Sequence, residues 1–353
     1  MMAPPARGNV IVIGRPIGAG HAPFIVAELS ANHLQSLERA HRIVDAAADT
    51  GCDAIKLQTF TPSAMTLDIR EGDFAISDGP WQGRNLWDLY GEAQTPWQWH
   101  AELFAHGAAR GLVVFSTPFD EEAVERLDRL GAPAFKIASF ELIDLELIAC
   151  AAKTGKPLIM STGMASDAEI TEAVETARFH GNGGIVLMHC VSGYPTPIDQ
   201  INLRRLDALH RWTDVVGISD HSPGATVPIA AVARGAMMVE KHLTLARADG
   251  GPDAGFSLEP HEFAQVTSGC KAAWSALGDG SAKRPAAEAG NRKFRRSLYA
   301  AEDIAEGEAF TRCNVRSIRP GHGLAPRELP MLLTKQAKTK IVRGTPIAWE
   351  LVA

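Results

Sequence analysis

The sequence predicts an α/β fold: a closed parallel (β/α)8 barrel, a TIM barrel, followed by a small C-terminal unit. Three observations carry the prediction. Eight short apolar, β-rich runs alternate with helical stretches over roughly 250 residues, the length of such a barrel. The first run ends Ala27-Glu28-Leu29-Ser30, without the glycine-rich loop that an open doubly wound sheet usually places there. Polar residues collect at the C-terminal ends of the runs, where such barrels carry their sites.

The predicted strands are 24–28, 54–59, 112–117, 134–139, 157–162, 185–190, 215–220 and 237–243. Between them 36–50, 96–110, 121–130, 167–180 and 260–277 read as helices, with Ser36, Thr95, Asp120 and Asp167 as caps. Gly51, Gly111, Gly131 and Gly155 each stand where a left-handed residue would end a helix. Residues 1–20 are an N-terminal extension, 21–278 the barrel, 279–296 a polar linker and 297–353 the C-terminal unit. That unit has many turn signals and no long amphipathic helix, and its size predicts that it docks on something. Residues 61–95, an insertion after the second strand, carry Trp81, Trp87 and Tyr90 and read as a functional loop.

Composition sets the class. The chain of 353 residues has 46% hydrophobic and 22% charged residues, a globular balance that excludes disorder as its main state. Its apolar runs are too short to span a bilayer, and the segment 10–13, broken by Gly14 and Pro16, is no signal-peptide core. Cys52, Cys150, Cys190, Cys270 and Cys313 are odd in number and widely spaced, which predicts free thiols and a cytoplasmic protein. A net charge of −6 argues against a general nucleic-acid binder. The basic run 292–296 reads as a solvated linker.

Alternate residues of a strand share a face, and this assigns the polar residues. Lys56 and Gln58 share a face with Ala54, Ser219 and His221 with Gly217, and Glu240 and His242 with Met238. The opposite faces are bulky and apolar, so the polar set points into the barrel. Inward lysines are costly unless an anion meets them. Lys56 and Lys136, among the hydroxyls of Thr117, Ser139, Ser161, Ser192 and Ser219, predict a phosphate or carboxylate ligand. The competing reading makes them internal salt bridges, Lys56 with Glu28 or Glu240. His221 and His242 end neighbouring strands, about 4.8 Å apart. They could share a divalent metal or be two ordinary hydrogen-bonded histidines. Glu28 could be a general base or a lysine's partner. His189 and Cys190 point to opposite faces, so they form no nucleophile pair. His100, His106, His180 and His210 read as surface residues.

At these residues the chain resembles the sialic acid synthase family, which condenses phosphoenolpyruvate with an N-acetylated amino sugar. The motifs are Phe-Ile-Val-Ala-Glu (24–28) with Asn32-His33, Ile-Lys-Leu-Gln-Thr (55–59), Ser-Thr-Pro-Phe (116–119) and Phe-Lys-Ile-Ala-Ser (135–139). Ser-Thr-Gly-Met (161–164), His-Cys-Val-Ser-Gly-Tyr-Pro-Thr (189–196), Gly-Ile-Ser-Asp-His (217–221), Glu-Lys-His (240–242) and Gly-Pro-Asp (251–253) follow. Ser-Ile-Arg-Pro-Gly-His-Gly-Leu (317–324) resembles the family's antifreeze-like (SAF) domain. Within the family the chain is most similar to the pseudaminic acid synthases. The segments 27–33, 85–90, 95–100, 136–141 and 296–299 carry that likeness. Ser192 stands where N-acetylneuraminate synthases have Asn, which fits a different sugar branch.

The resemblance implies a set of roles. Glu28 would be the acid/base group, and Lys56 and Lys136 would be catalytic and hold phosphoenolpyruvate with Thr117, Ser139, Ser161, Ser192 and Ser219. Gln58, Tyr194 and Asp253 would face the sugar. His221 and His242 would bind Mn²⁺ or Mg²⁺. Arg319 would reach the partner's site in a domain-swapped homodimer. The implied substrate is 2,4-diacetamido-2,4,6-trideoxy-altrose; the alternatives are the sugars leading to N-acetylneuraminic or legionaminic acid. An aldolase working through a Schiff-base lysine, and a non-catalytic sugar-binding protein, are the readings from other classes. The intact set Glu28, Lys56, Lys136, His221 and His242 argues against the second.

Overall fold

The computed structural model describes residues 11–353. Its strands are β1 (Ile11–Ile13), β2 (Arg15–Ile17), β3 (Phe24–Glu28), β4 (Ala54–Thr59), β5 (Val113–Pro118) and β6 (Phe135–Ile137). They continue with β7 (Leu158–Ser161), β8 (Ile185–Cys190), β9 (Val215–Ser219), β10 (Met238–His242), β11 (Ser297–Ala300) and β12 (Val315–Ile318). Strands β3 to β10 form a closed parallel barrel in sequence order, with β10 pairing β3. These are the eight predicted strands, within three residues at every end.

Two hydrophobic layers result from strand alternation. Inside lie Phe24, Val26, Ala54, Phe115, Ile159 and Met238; Ile25, Ala27, Ile55 and Leu57 face the surrounding helices. The outer ring includes Leu37–Asp49, Trp97–Ala109, Glu121–Leu130, Asp167–His180 and Pro260–Leu277. Ser36 and Asp120 cap as expected, accepting from the amides of Arg39 and Ala123. Two caps differ. Ser166, not Asp167, caps its helix in a reciprocal box with Glu169. Thr95 caps nothing: Pro96 starts that helix, and the Thr95 hydroxyl is buried in the wall.

Part of the predicted extension is structural. Residues before Ile11 lie outside the described ones, but β1 and β2 form an antiparallel hairpin. Ile11, Ile13 and Ile17 join the inner core at the strands' N-terminal ends. Arg15 fastens the hairpin, donating to Asp53 Oδ1 at 2.9 Å and to the Ala22 carbonyl at 3.0 Å. The barrel floor is therefore closed, and the opposite end is left for a site.

The chain divides after Gly278 into two compact units. The second has its own core, including Leu298, Ile304, Phe310, Leu332, Ile341 and Ile347, and an antiparallel β11–β12 pair. The segment predicted as linker contains 3₁₀ turns at Ala286–Phe294. Among the described residues no helix is long and apolar enough to cross a membrane. All five cysteines are unpaired.

Candidate active site

The inward faces of β3, β4, β5, β6, β9 and β10 converge on one buried ionic cluster. Lys56 Nζ pairs with Glu28 Oε2, lies 3.4 Å from Glu240 Oε1 and donates to Thr117 Oγ1 at 3.0 Å. Lys136 Nζ reaches both Glu240 oxygens at 3.0 Å. Ser219 donates to Glu240 Oε1 at 3.3 Å. Lys56, Lys136, Thr117, Ser219 and the two glutamates are each at most 5% exposed. Both lysines therefore form the internal salt bridges of the competing reading.

Burial and charge pull these groups in opposite directions. Burial pushes Glu28 up to about 7 against the pull of Lys56. Burial also opposes the charge on Glu240, but Lys136 and Lys56 flank it and hold it down at about 2. Burial lowers Lys136, against the pull of Glu240; it opposes the charge on Lys56 too, but there Glu240 and Glu28 outweigh it and raise the lysine. The cluster sits under an array of hydroxyls.

Those hydroxyls are partly unspent. Ser161 Oγ and Ser192 Oγ are buried with no hydrogen-bond partner in the protein. Ser139 Oγ accepts from the Gly163 amide at 3.1 Å and stands beside Cys190. A Cβ at Gly163 would lie 2.5 Å from Ser192 Oγ and 2.7 Å from Ser139 Oγ. Glycine there keeps open a cradle edged by both serines. Ser116 turns away, to Thr59 Oγ1 at 2.5 Å, and Thr162 spends its hydroxyl on the Met188 carbonyl.

His221 and His242 lie side by side, ring centroids 5.3 Å apart. His221 Nδ1 faces the Val191 carbonyl at 3.2 Å and must donate to it, so its Nε2 keeps the lone pair. His242 Nδ1 is buried without a partner, and burial and the neighbouring His221 hold that ring neutral, well below the usual histidine range. Among the described residues no third His, Cys, Asp or Glu completes a cluster able to hold a metal. Burial opposes charge on His221, but Cys190 and the Val191 carbonyl outweigh it and raise its pKa, so a divalent ion held by both rings, with water and substrate as its remaining ligands, would have to displace a proton from His221. Cys190 Sγ lies 4.0 Å from His221 Nδ1, while His189 reaches the Ile201 carbonyl on the outside; the two do face opposite ways.

Gln58 and Asp253 are joined through Ser30, which sequence reasoning left out. Gln58 Nε2 donates to Ser30 Oγ at 3.0 Å, and Ser30 Oγ bonds Asp253 Oδ2. Burial raises the Asp253 carboxyl. Tyr194 packs on His221 at 4.5 Å and on Phe256 at 5.0 Å. Arg319 is not on the barrel. It lies exposed on the second unit, just after β12.

Three more residues escaped the sequence reading. Glu240 was seen only as a salt-bridge partner, yet it organises both lysines. Glu141 has a buried oxygen without a partner, and burial raises its carboxyl to about 7. It lies past the end of β6, where strand parity no longer predicts direction. His100 is no surface residue: it is 2% exposed and bonds Thr59 Oγ1 at 2.8 Å. A polar partner on β4 compensates its burial, and helical spacing alone could not reveal that.

Residues 43–282 match the model of the NeuB family, and 295–353 match the SAF domain. The chain belongs to the NeuB family. It is 43% identical to the pseudaminic acid synthase of Campylobacter jejuni subsp. jejuni serotype O:2 over 322 residues, 91% of this chain and 94% of that protein. It is 34% identical to the N,N'-diacetyllegionaminic acid synthase of the same strain over 319 residues, 89% and 95% of the two chains. The crystal structure of N-acetylneuraminic acid synthetase from Leptospira borgpetersenii serovar Hardjo-bovis, in complex with citrate, superposes with a TM-score of 0.72 at 31% identity. That alignment covers 80% of this chain and 95% of the other. The motif likeness between 24 and 324 is therefore part of a sequence match that covers 91% of this chain.

Proposed function

We propose that this chain is a pseudaminic acid synthase, condensing phosphoenolpyruvate with 2,4-diacetamido-2,4,6-trideoxy-altrose to give pseudaminic acid and phosphate. The observation that carries the choice of sugar is the gap between 43% identity to a pseudaminic and 34% to a legionaminic acid synthase at similar coverage. The site's chemistry supports the phosphoenolpyruvate half. A trianionic ligand suits a buried pocket that brings together two lysines and unspent serine hydroxyls.

The residues divide the work by position. Lys56, Lys136, Thr117, Ser139, Ser161, Ser192 and Ser219 hold the phosphate and carboxylate and stabilise their charge while C3 attacks the sugar's aldehyde carbon. The cation left at C2 takes up water, and the adduct loses phosphate by C–O cleavage. As the ligand draws Lys56 away, Glu28 loses its partner. It remains fixed by accepting from the Ser30 amide at 2.8 Å, placed to take the proton of that water. Gln58, Ser30, Asp253 and Tyr194 orient the sugar. A divalent ion, Mn²⁺ or Mg²⁺, held by His221 and His242 would polarise the aldehyde. The protein works as a cytoplasmic homodimer whose Arg319 completes the partner's sugar site.

The test offers each candidate sugar with phosphoenolpyruvate and follows phosphate release. Turnover of the trideoxy-altrose sugar above the manno-configured ones, abolished by EDTA and restored by Mn²⁺, is expected. Preference for N-acetylmannosamine would overturn the choice of sugar. Undiminished activity of His221→Ala and His242→Ala in chelator would overturn the metal.

A further inference from the structure

The insertion between β4 and the helix Trp97–Ala109 presents Trp81 to the site. Residues 77–83 are exposed apart from Trp81, which is half-buried. A tight turn holds it there: Gly79 and Gly83 have φ of 77° and 84°, the Gln82 amide donates to the Gly79 carbonyl, and the Gly83 amide to the Ile76 carbonyl. Trp81 Nε1 donates to the Pro252 carbonyl at 2.8 Å, beside Asp253. Its ring lies 5.8 Å from Tyr194 and 6.3 Å from Phe256. Those two in turn lie 4.5 Å from His221 and 5.0 Å from His242.

Three loops thus build one graded apolar wall. Tyr194 and Phe256 stand next to the histidines, and Trp81 stands one ring farther out. A sugar whose aldehyde end meets the histidines runs outward along that wall, so its distal carbons meet the indole. Trp81 has a single polar hydrogen, already given to Pro252. It can cover a methyl group favourably, but it cannot compensate a hydroxyl that it strips of water.

We infer that Trp81 is a specificity-determining residue, closing the outer end of the sugar site with a surface that accepts the C6 methyl of a 6-deoxy sugar and disfavours a C6 hydroxymethyl. This rests on the proposed condensation and on its sugar orientation. The size of the effect is bounded, because an apolar pocket rejects an added hydroxyl by only about 10².

The experiment compares kcat/KM for 2,4-diacetamido-2,4,6-trideoxy-altrose and its 6-hydroxy counterpart in the wild type, W81A, W81F and W81Q, with calorimetric sugar titrations alongside. The wild type should prefer the 6-deoxy sugar by about 10². W81A should raise the KM for that sugar by about tenfold or more, leave the KM for phosphoenolpyruvate unchanged and bring the preference near one. W81F should keep most of the preference, and W81Q, with an amide to offer the hydroxyl, should reverse it. A preference that survives in W81A and W81Q, with normal sugar affinity, overturns the inference while leaving the proposed function intact. Failure of the wild type to turn over the 6-deoxy sugar overturns the proposed function, and this inference with it.

Discussion

Glu28 has no exposed surface, and burial favours its neutral form, so its carboxyl ionises only near 7. The sign of the resulting pH dependence follows. Below that value the group is protonated and cannot accept a proton from the attacking water; above it, it can. We expect kcat/KM to rise with pH through about 7, and Glu28→Gln to lose about 10²- to 10⁴-fold in rate together with that limb. Phosphate release measured across the range checks this. If Glu28→Gln keeps the limb, the base is Glu141, whose carboxyl lies equally high.

Lys136 illustrates a second residue-scale point, that a buried charge has two functions at once. Lys136→Met should weaken phosphoenolpyruvate binding by about 2–5 kcal/mol. It also strips Glu240 of its nearer lysine, leaving Lys56 at 3.4 Å and Ser219 at 3.3 Å, so the melting temperature should fall. Adding Glu240→Gln removes the stranded carboxylate. The double variant should regain stability and not affinity. Recovery of both by calorimetry and thermal melting would show that Lys136 serves only the fold. Parity made the inward direction of these residues legible, but it could not say which carboxylate each lysine meets.

At the scale of elements, the barrel strands followed the sequence closely because their signal is local: a short apolar run, a cap and a glycine stop. The floor hairpin did not, because β1 and β2 are three residues each and their burial comes from the barrel above them. Strand β9 shows how tightly the inner layer is filled. A Cβ on Gly217 would lie 2.6 Å from Met188 Sδ and 2.6 Å from the Met238 carbonyl oxygen. The sulfur can move and the backbone oxygen cannot. Gly217→Ala should destabilise the fold by about 1–3 kcal/mol and disturb Ser219 two residues on. A denaturant midpoint equal to wild type would contradict this packing.

For the whole molecule, the division after Gly278 separates the site's lysines, histidines and carboxylates from Arg319. If Arg319 completes the partner's site, Arg319→Ala and Glu28→Ala homodimers should each be nearly inactive. Mixed with subunit exchange, they should recover, because each heterodimer then holds one intact site and one doubly defective site. Absence of recovery after verified exchange would confine Arg319 to its own chain or remove it from the site.

The sequence alone determined the eightfold strand and helix alternation, the inward polar face, the candidate residues and the family motifs, since each is written in neighbours or in spacings of two and 3.6 residues. Tertiary structure alone decided the partners. Lys136 meets Glu240 across 104 positions, Ser30 joins Asp253 across 223, and Trp81 finds Pro252 across 171. Closure of the barrel brings these residues together, and no local pattern records it. The same closure removes water from the centre, which raises Glu28 to about 7, and sets Lys136 and Lys56 against Glu240, which holds it at about 2 although burial opposes its charge.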